Sequence, residues 1–227
     1  MWLHYLPSCD STNSWALAHL PELRHGDVVF TRNQTQGRGQ YRRSWYDGGF
    51  TASFVLVVED LTGASLRVGL LVCDGLVELM PSLDLLLRLK WPNDLMLQGR
   101  KLGGILCELR QIGAETKLVA GIGLNLHRRP VAGAACLGEF GEPPEPELLV
   151  YLLRQRLIGA WDQVQILARF GDRDFLWSRD IGVQLDRRVW WGKAMGISDR
   201  GELRLLTGDG ELKLFSSGHI LGDFGQV

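Results

Sequence analysis

The sequence predicts an α+β protein in which a largely antiparallel sheet, with helices packed on one side, is followed by a small C-terminal β-barrel. Three observations carry this expectation. Between Leu85 and Leu126 short apolar runs alternate with turn residues, as in a meander. Two longer stretches, Thr62 to Met80 and roughly 147 to 170, read as helices. After Trp177 the pattern changes to brief strands separated by Asp-Arg-Gly and Gly-Asp-Gly turns. A chain of 227 residues accommodates one large domain and one small one. The change of pattern places them at 1–179 and 180–227.

Taken in order, Ser11 to Leu20 opens with Ser, Thr and Asn and continues with Trp15, Ala16, Leu17 and Leu20, a capped helix whose N-terminus presents polar side chains and free N–H groups. Asp27 to Thr31 and Thr51 to Val58 are β-branched strands. Residues 32 to 50 between them form a long polar loop, and a loop of that length inside a compact domain is usually functional. It holds Arg32, Arg38, Arg42 and Arg43 with no acid before Asp47, so its chemistry is anion binding. Leu66, Leu70, Val77 and Leu79 give the next helix its apolar face against the sheet, and Pro81 ends it. The strands Leu85 to Lys90, Leu95 to Leu97, Leu102 to Leu109 and Lys117 to Leu126 follow, with turns at Gln98-Gly99 and near Gly113. Pro143, Pro144 and Pro146 then introduce the second long helix. The tail reads as strands Val183 to Leu185, Arg188 to Ile197, Leu203 to Thr207 and Leu212 to Phe215.

Composition narrows the function classes. Hydrophobic residues make up 45% and charged residues 22%, ordinary values for a folded globular protein. A net charge of -1 provides no global basic field for nucleic acid, so any anion site is local. No run of ~18 apolar residues suggests a membrane helix. The four cysteines form no Cys-x-x-Cys pair and fit a reducing cytoplasm. The five histidines, His4, His19, His25, His127 and His219, lack ligand spacing and read as structural or exposed.

Three clusters carry chemistry. Gln34 to Trp45 combines glycines, which let backbone N–H groups approach an anion, with guanidinium forks that grip phosphate. It is neither a Walker A loop nor a dinucleotide fingerprint. Lys90-Trp91-Pro92-Asn93-Asp94 sets a cation, an amide and a carboxylate in a tight turn between apolar strands, followed by Gly99-Arg100-Lys101-Leu102-Gly103-Gly104-Ile105. Ala120 to Asn125 is a strand with two glycines, Gly121 and Gly123, leaving room for a ligand against the backbone.

Together these stretches resemble the biotin protein ligase family. The matching segments occur in one order from residue 10 to 125: Asp10-Ser11-Thr12-Asn13, Gln34-Thr35 with Gly37-Arg38-Gly39, Arg43 with Trp45, Gly48-Gly49, Lys90 to Asp94, Gly99 to Leu102 with Gly104-Ile105-Leu106, and Gly121-Ile122-Gly123 with Asn125. The resemblance implies a mixed-sheet, class II synthetase-like catalytic domain and an SH3-like C-terminal barrel. It implies a short form without an N-terminal DNA-binding domain and no repressor role. The implied activity is formation of biotinyl-5'-AMP from biotin and ATP with Mg²⁺, then transfer to a lysine of the biotin carboxyl carrier protein of acetyl-CoA carboxylase, by a cytoplasmic monomer or homodimer independent of DNA and membrane.

The resemblance also implies roles for residues. Ser11, Thr12, Asn13, Gln34, Arg38, Gly39, Gln40 and Lys101 would bind biotin. Arg38, Arg43, Trp45, Lys90, Asn93, Asp94 and Asn125 would bind ATP, with Trp45 over the adenine and Asp94 at the Mg²⁺. Lys101, Arg38 and Asp94 would be the catalytic groups. Two positions depart from the family pattern: Gln40 where many members have a basic residue, and Arg42 where glycine is usual, so that Arg42 would reach back to compensate. Lipoate ligases and octanoyltransferases share the fold and are the nearest rivals, but Lys90 to Asp94 speaks against them, and Cys107 in an apolar strand is a poor nucleophile. A non-catalytic nucleotide- or nucleic-acid-binding module would need basic residues interleaved with aromatics in the tail, where Trp190 and Trp191 read as core and edge packing.

Overall fold

The computed structural model describes residues 1–46, 49–127, 131–162 and 166–222, without the side chains of Arg42 and Ile166. Seven strands form the main sheet: β1 (Leu3–Leu6), β2 (Val28–Thr31), β5 (Gly49–Val57), β6 (Leu87–Lys90), β7 (Asp94–Leu97), β8 (Arg100–Ile112) and β9 (Glu115–Asn125). Their order is β1-β2-β5-β9-β8-β7-β6. The β1–β2 pair is parallel and the rest are antiparallel, so the sheet is mixed. Strand β1 is not anticipated by the sequence pattern; its partner lies over twenty residues away, beyond any local signal.

Side chains alternate across a strand, so each strand feeds both faces. Val28, Phe30, Phe54, Ala120, Ile122 and Leu124 enter the main apolar core with helices α2 (Ala64–Leu79) and α3 (Pro146–Ala160). Val29, Val55 and Val119 face the other way and pack with Ala16 and Leu20 of α1 and the turn after it; α1 itself spans Thr12–Ala18. The two long helices thus share one side, as expected, and short α1 covers part of the opposite side. What α1 leaves uncovered becomes the site. The second long helix ends at Ala160, well before residue 170, and the chain resumes in a 3-10 stretch to Arg173.

The tail forms β10 (Asp180–Leu185), β11 (Arg188–Ile197), β12 (Leu203–Thr207), β13 (Leu212–Phe215) and β14 (His219–Leu221), ordered β13-β12-β11-β10-β14. Where a barrel was expected, the sheet is open: among the described residues no pairing joins its edges, β13 and β14. The apolar core continues without a break into Ile181, Val183, Ala194, Leu203, Leu205 and Phe215. Trp190 packs on Phe215, and Trp191 is exposed. Among the described residues no helix is long and apolar enough to cross a membrane.

Asp174 lies at the seam between the two sheets, beside Leu89. Its Oδ1 accepts a hydrogen bond from the Leu176 N–H at 2.8 Å, and its Oδ2 is buried without a partner among the described residues. Burial pushes its carboxyl up to about 6, against the opposing backbone hydrogen bonds. Below the unfolded value of ~3.9 the group is protonated in both states and costs nothing; as pH rises past the folded value the native state must carry a buried charge, and stability is lost. Asp174→Asn is expected to stabilise the protein by ~1–3 kcal/mol near pH 7.5, a shift of several degrees in Tm, with the gain gone near pH 4. Thermal unfolding at the two pH values checks this, and an equal gain at both would refute the assignment.

Candidate active site

The site is built on the sheet face beside α1. At its base β6 and β7 are joined by a tight turn whose Trp91–Pro92 peptide is cis. Trp91 is buried and donates its Nε1–H to the Gly201 carbonyl at 3.1 Å, tying the turn to the tail. Asn93 donates Nδ2–H to the Ile105 carbonyl at 2.7 Å and accepts the Ile105 N–H at its own carbonyl. These bonds leave Lys90 and Asp94, directly paired across the ladder, facing the cavity.

A bulge in β8 decides the position of Lys101. Leu95 pairs with Gly103 and Met96 with Lys101, so Leu102 is passed over. One extra residue reverses the faces on either side of it. Leu102 turns fully into the core, and Lys101 turns to the face of Asp94, with Nζ 2.5 Å from Oδ1.

The second wall comes from the start of α1. Ser11, Thr12 and Asn13 are almost fully buried. The Thr12 N–H donates to Gln34 Oε1 at 2.9 Å, and the Ser14 N–H reaches Ser11 Oγ at 3.4 Å, so these N–H groups are capped where free ones were expected. Asn13 donates Nδ2–H to the Leu106 carbonyl at 3.0 Å and to Glu108 Oε2 at 2.9 Å; its Oδ1 lies 2.5 Å from Ser53 Oγ, which is also 2.8 Å from Thr12 Oγ1. Asn13 is therefore a strut of the wall. Gly121 makes this possible: a Cβ there would lie 2.3 Å from Asn13 Oδ1. Gly123 plays the same part for Trp45, whose ring would meet a Cβ at 2.5 Å. The room these glycines leave is thus taken by side chains rather than left open for a ligand.

The loop over the site contains a small hairpin, β3 (Gly37–Arg38) with β4 (Ser44–Trp45). Its arginines separate. Arg32 forks onto Glu147 of α3, at 2.8 Å, and is spent outside the cavity, contrary to its expected part in an anion-binding loop. Arg38 pairs with Glu108 at 2.8 Å, and Arg43 points its Nη2 at His219. Trp45 lies against the Gly104 and Gly123 backbone with its indole N–H buried and unpartnered among the described residues. Gly48 and the Arg42 side chain lie outside the described residues.

The resulting cavity of about 210 Å³ is lined by Ser11, Thr12, Asn13, Gln34, Arg38, Gly39, Gln40, Arg43, Trp45, Lys90, Asn93, Asp94 and Lys101, all singled out from sequence. Asn125 does not line it. Its Nδ2–H donates to the Ala135 carbonyl at 2.9 Å and lies 3.4 Å from the Lys101 carbonyl, while its buried Oδ1 has no partner among the described residues. The structure adds Thr51 and His219 to the lining, and behind it Ser53 and Glu108, which hold Asn13 and Arg38. Two polar residues at alternate positions of an apolar strand were the signal for Thr51 and Ser53. His219 corrects the reading of all histidines as structural or exposed: it is part of the cavity wall.

Electrostatically, Arg38, Arg43, Lys90 and Lys101 line the cavity with a single carboxylate among the described residues, Asp94, to which Lys101 is directly paired. Burial lowers the pKa of Lys90, with Lys101 and Arg43 adding to that effect and Asp94 opposing it. Among the described residues no three His, Cys, Asp or Glu side chains converge as a metal cage. Burial pushes the Cys107 thiol up to about 11, far from a thiolate at neutral pH. The arrangement is one for holding two anionic ligands side by side, with a neutral hydrogen-bonding wall for the body of one of them.

The chain belongs to the biotin/lipoate A/B protein ligase family, whose model matches residues 5–125; the biotin protein ligase C-terminal domain matches residues 181–221. It is 31% identical over 233 residues to the bifunctional ligase/repressor BirA of Escherichia coli (strain K12), covering 95% of this chain and 72% of that protein. It is 36% identical over 166 residues to a biotin–[acetyl-CoA-carboxylase] ligase of Paracoccus denitrificans, covering 65% and 68% respectively. A biotin protein ligase from Aquifex aeolicus, solved in complex with biotin and ATP, superposes with a TM-score of 0.79 at 27% identity over 96% of this chain and 97% of that one.

Proposed function

We propose that the protein is a biotin protein ligase, which activates biotin with ATP and transfers it to a lysine of a biotin carboxyl carrier protein of acetyl-CoA carboxylase. The observation that carries this is the cavity itself, lined by Arg38, Arg43, Lys90 and Lys101 together with Asp94 and with the neutral Ser11–Asn13 and Gln34 wall. In the first step a carboxylate oxygen of biotin attacks the α-phosphorus; the C–O–P bond forms, the bond to the β-phosphate breaks, and pyrophosphate leaves. The protein supplies no nucleophile, only position and positive charge.

Lys101 meets the charge developing at the α-phosphate, Arg38 and Arg43 grip the anions, and Lys90 adds to the field. Ser11, Thr12, Gln34, Gly39 and Gln40 face the ureido ring and valerate arm, while Asn13 and Asn93 hold the walls in place. Asn125, which lies behind the cavity lining, steadies the Lys101 backbone from there. Trp45 closes the nucleotide side. Among the described residues Asp94 is the one carboxylate lining the cavity, which suits Mg²⁺ arriving on the triphosphate, since that ion typically takes one or two protein carboxylates and keeps phosphate and water ligands. Bound there, Mg²⁺ would neutralise phosphate charge. In the second step the carrier amine attacks the acyl carbon, AMP leaves, and Asp94 orients the amine.

The catalytic groups belong to the 1–179 domain, and Gly218, His219 and Ile220 of the C-terminal domain complete the cavity wall beside them. The C-terminal match separates the reading from the lipoate alternative. Four cysteines without a disulfide suit a reducing cytoplasm. The test is ATP–pyrophosphate exchange, which should require biotin and not respond to lipoate or octanoate; exchange driven by either of those acids would replace this reading. Gln40 lines the cavity without a positive charge. Gln40→Arg is therefore expected to slow release of biotinyl-5'-AMP in a single-turnover assay, by about tenfold for one added charge-assisted contact, and an unchanged release rate would refute it.

A further inference from the structure

Of the arginines around the site whose side chains are described, each is held by a partner, and one partner differs in kind. Arg32, Arg38 and Arg100 are paired with carboxylates, Glu147, Glu108 and Glu139. Arg43 forms no ion pair among the described residues; its Nη2 instead lies 3.1 Å from Nε2 and 3.3 Å from Nδ1 of His219. His219 opens β14, the edge strand of the C-terminal sheet, 176 positions from Arg43. One residue before it, the Gly218 N–H donates to the Tyr41 hydroxyl at 3.2 Å. Tyr41 has φ 55°, a left-handed conformation that a bulky residue seldom adopts without outside support. The tail therefore grips the 40–43 turn at two points.

A carboxylate fixes a guanidinium by cancelling its charge, whereas a neutral imidazole fixes it and leaves the charge available. Burial first, and then the charges of Arg43 and Lys90, favour the neutral ring of His219, and Asp94 opposes them.

We propose that His219 is a positioning residue that aims Arg43 at the ATP phosphates without neutralising it. This rests on the ligase reading for the identity of the anion. The geometry makes the C-terminal sheet part of the nucleotide site, because Arg43 is held from that sheet.

The experiment compares His219→Ala and His219→Gln in the full chain, with KM for ATP and for biotin from pyrophosphate exchange and ATP affinity from calorimetry. His219→Ala should raise KM for ATP and weaken ATP binding by about tenfold, the effect of losing a hydrogen bond to a charged group, with KM for biotin unchanged within about twofold. His219→Gln, which keeps a neutral acceptor, should recover most of the loss. Equal increases in both KM values, no change in ATP affinity, or a glutamine variant as impaired as the alanine one would each overturn the proposal. If the alanine variant does not fold, the glutamine variant decides alone, wild-type ATP affinity supporting the proposal and a tenfold loss overturning it. Calorimetry reads the His219–Arg43 contact whichever acid is activated. Absence of biotin-dependent exchange in the unaltered chain would instead overturn the ligase reading.

Discussion

Lys101→Ala is expected to bring biotin-dependent ATP–pyrophosphate exchange down by about 10²–10³-fold in kcat, the usual consequence of removing one preorganised positive group from a developing charge. The fold should survive, because the Lys101 side chain is 46% exposed and contributes no core contact. The Asp94 carboxylate, relieved of its partner, is 24% exposed and able to hydrate. KM for ATP should change far less than kcat, since Arg38, Arg43 and Lys90 continue to attract the triphosphate. A variant that keeps exchange within a few-fold of the unaltered protein would remove Lys101 from the catalytic role.

The second large effect is expected at a residue with no functional group. Gly121→Ala places a methyl 2.3 Å from Asn13 Oδ1 and 2.8 Å from its Cγ. Asn13 cannot yield easily, being almost fully buried and bonded to Leu106, Glu108 and Ser53. Its displacement would open the Ser11–Asn13 wall and release Glu108, which also holds Arg38. Overpacking of this kind costs ~1–3 kcal/mol of stability. We expect KM for biotin to rise on the order of 10²-fold, as when a site matched to a polar ligand loses its hydrogen-bonding geometry. Thermal unfolding and the two KM values separate the outcomes: biotin KM near the unaltered value would mean that this wall does not face biotin.

Much of the fold and most of the site were legible because their signals are local. The Lys90–Asp94 turn, the Gly99–Ile105 stretch and the strands around them are written in consecutive residues. What escaped is what depends on pairings across the chain. Arg32 and Arg38 look alike in a polar loop, and only the acids met 115 and 70 positions later divide them. His219 sits near the C-terminus in a short strand of no clear periodicity, and its place in the cavity follows from the docking of one sheet on the other. The two glycines of β9 point from sequence to room for a ligand, but it is Asn13 and Trp45, distant along the chain, that occupy that room.

The passed-over Leu102 gives the site an arithmetic weakness. Whether the Lys101 ammonium reaches Asp94 is settled by the parity of the residue count between the β7–β8 turn and Gly104, and no property of lysine itself enters. Loss of a single residue from this stretch would send the charge toward the apolar side and bring Leu102 out, with every side chain of the site still encoded. Over evolutionary time this segment should tolerate exchanges of residue type far better than changes of length, and a relative that differs here by one position is a candidate for a ligase-like fold that has stopped making adenylate.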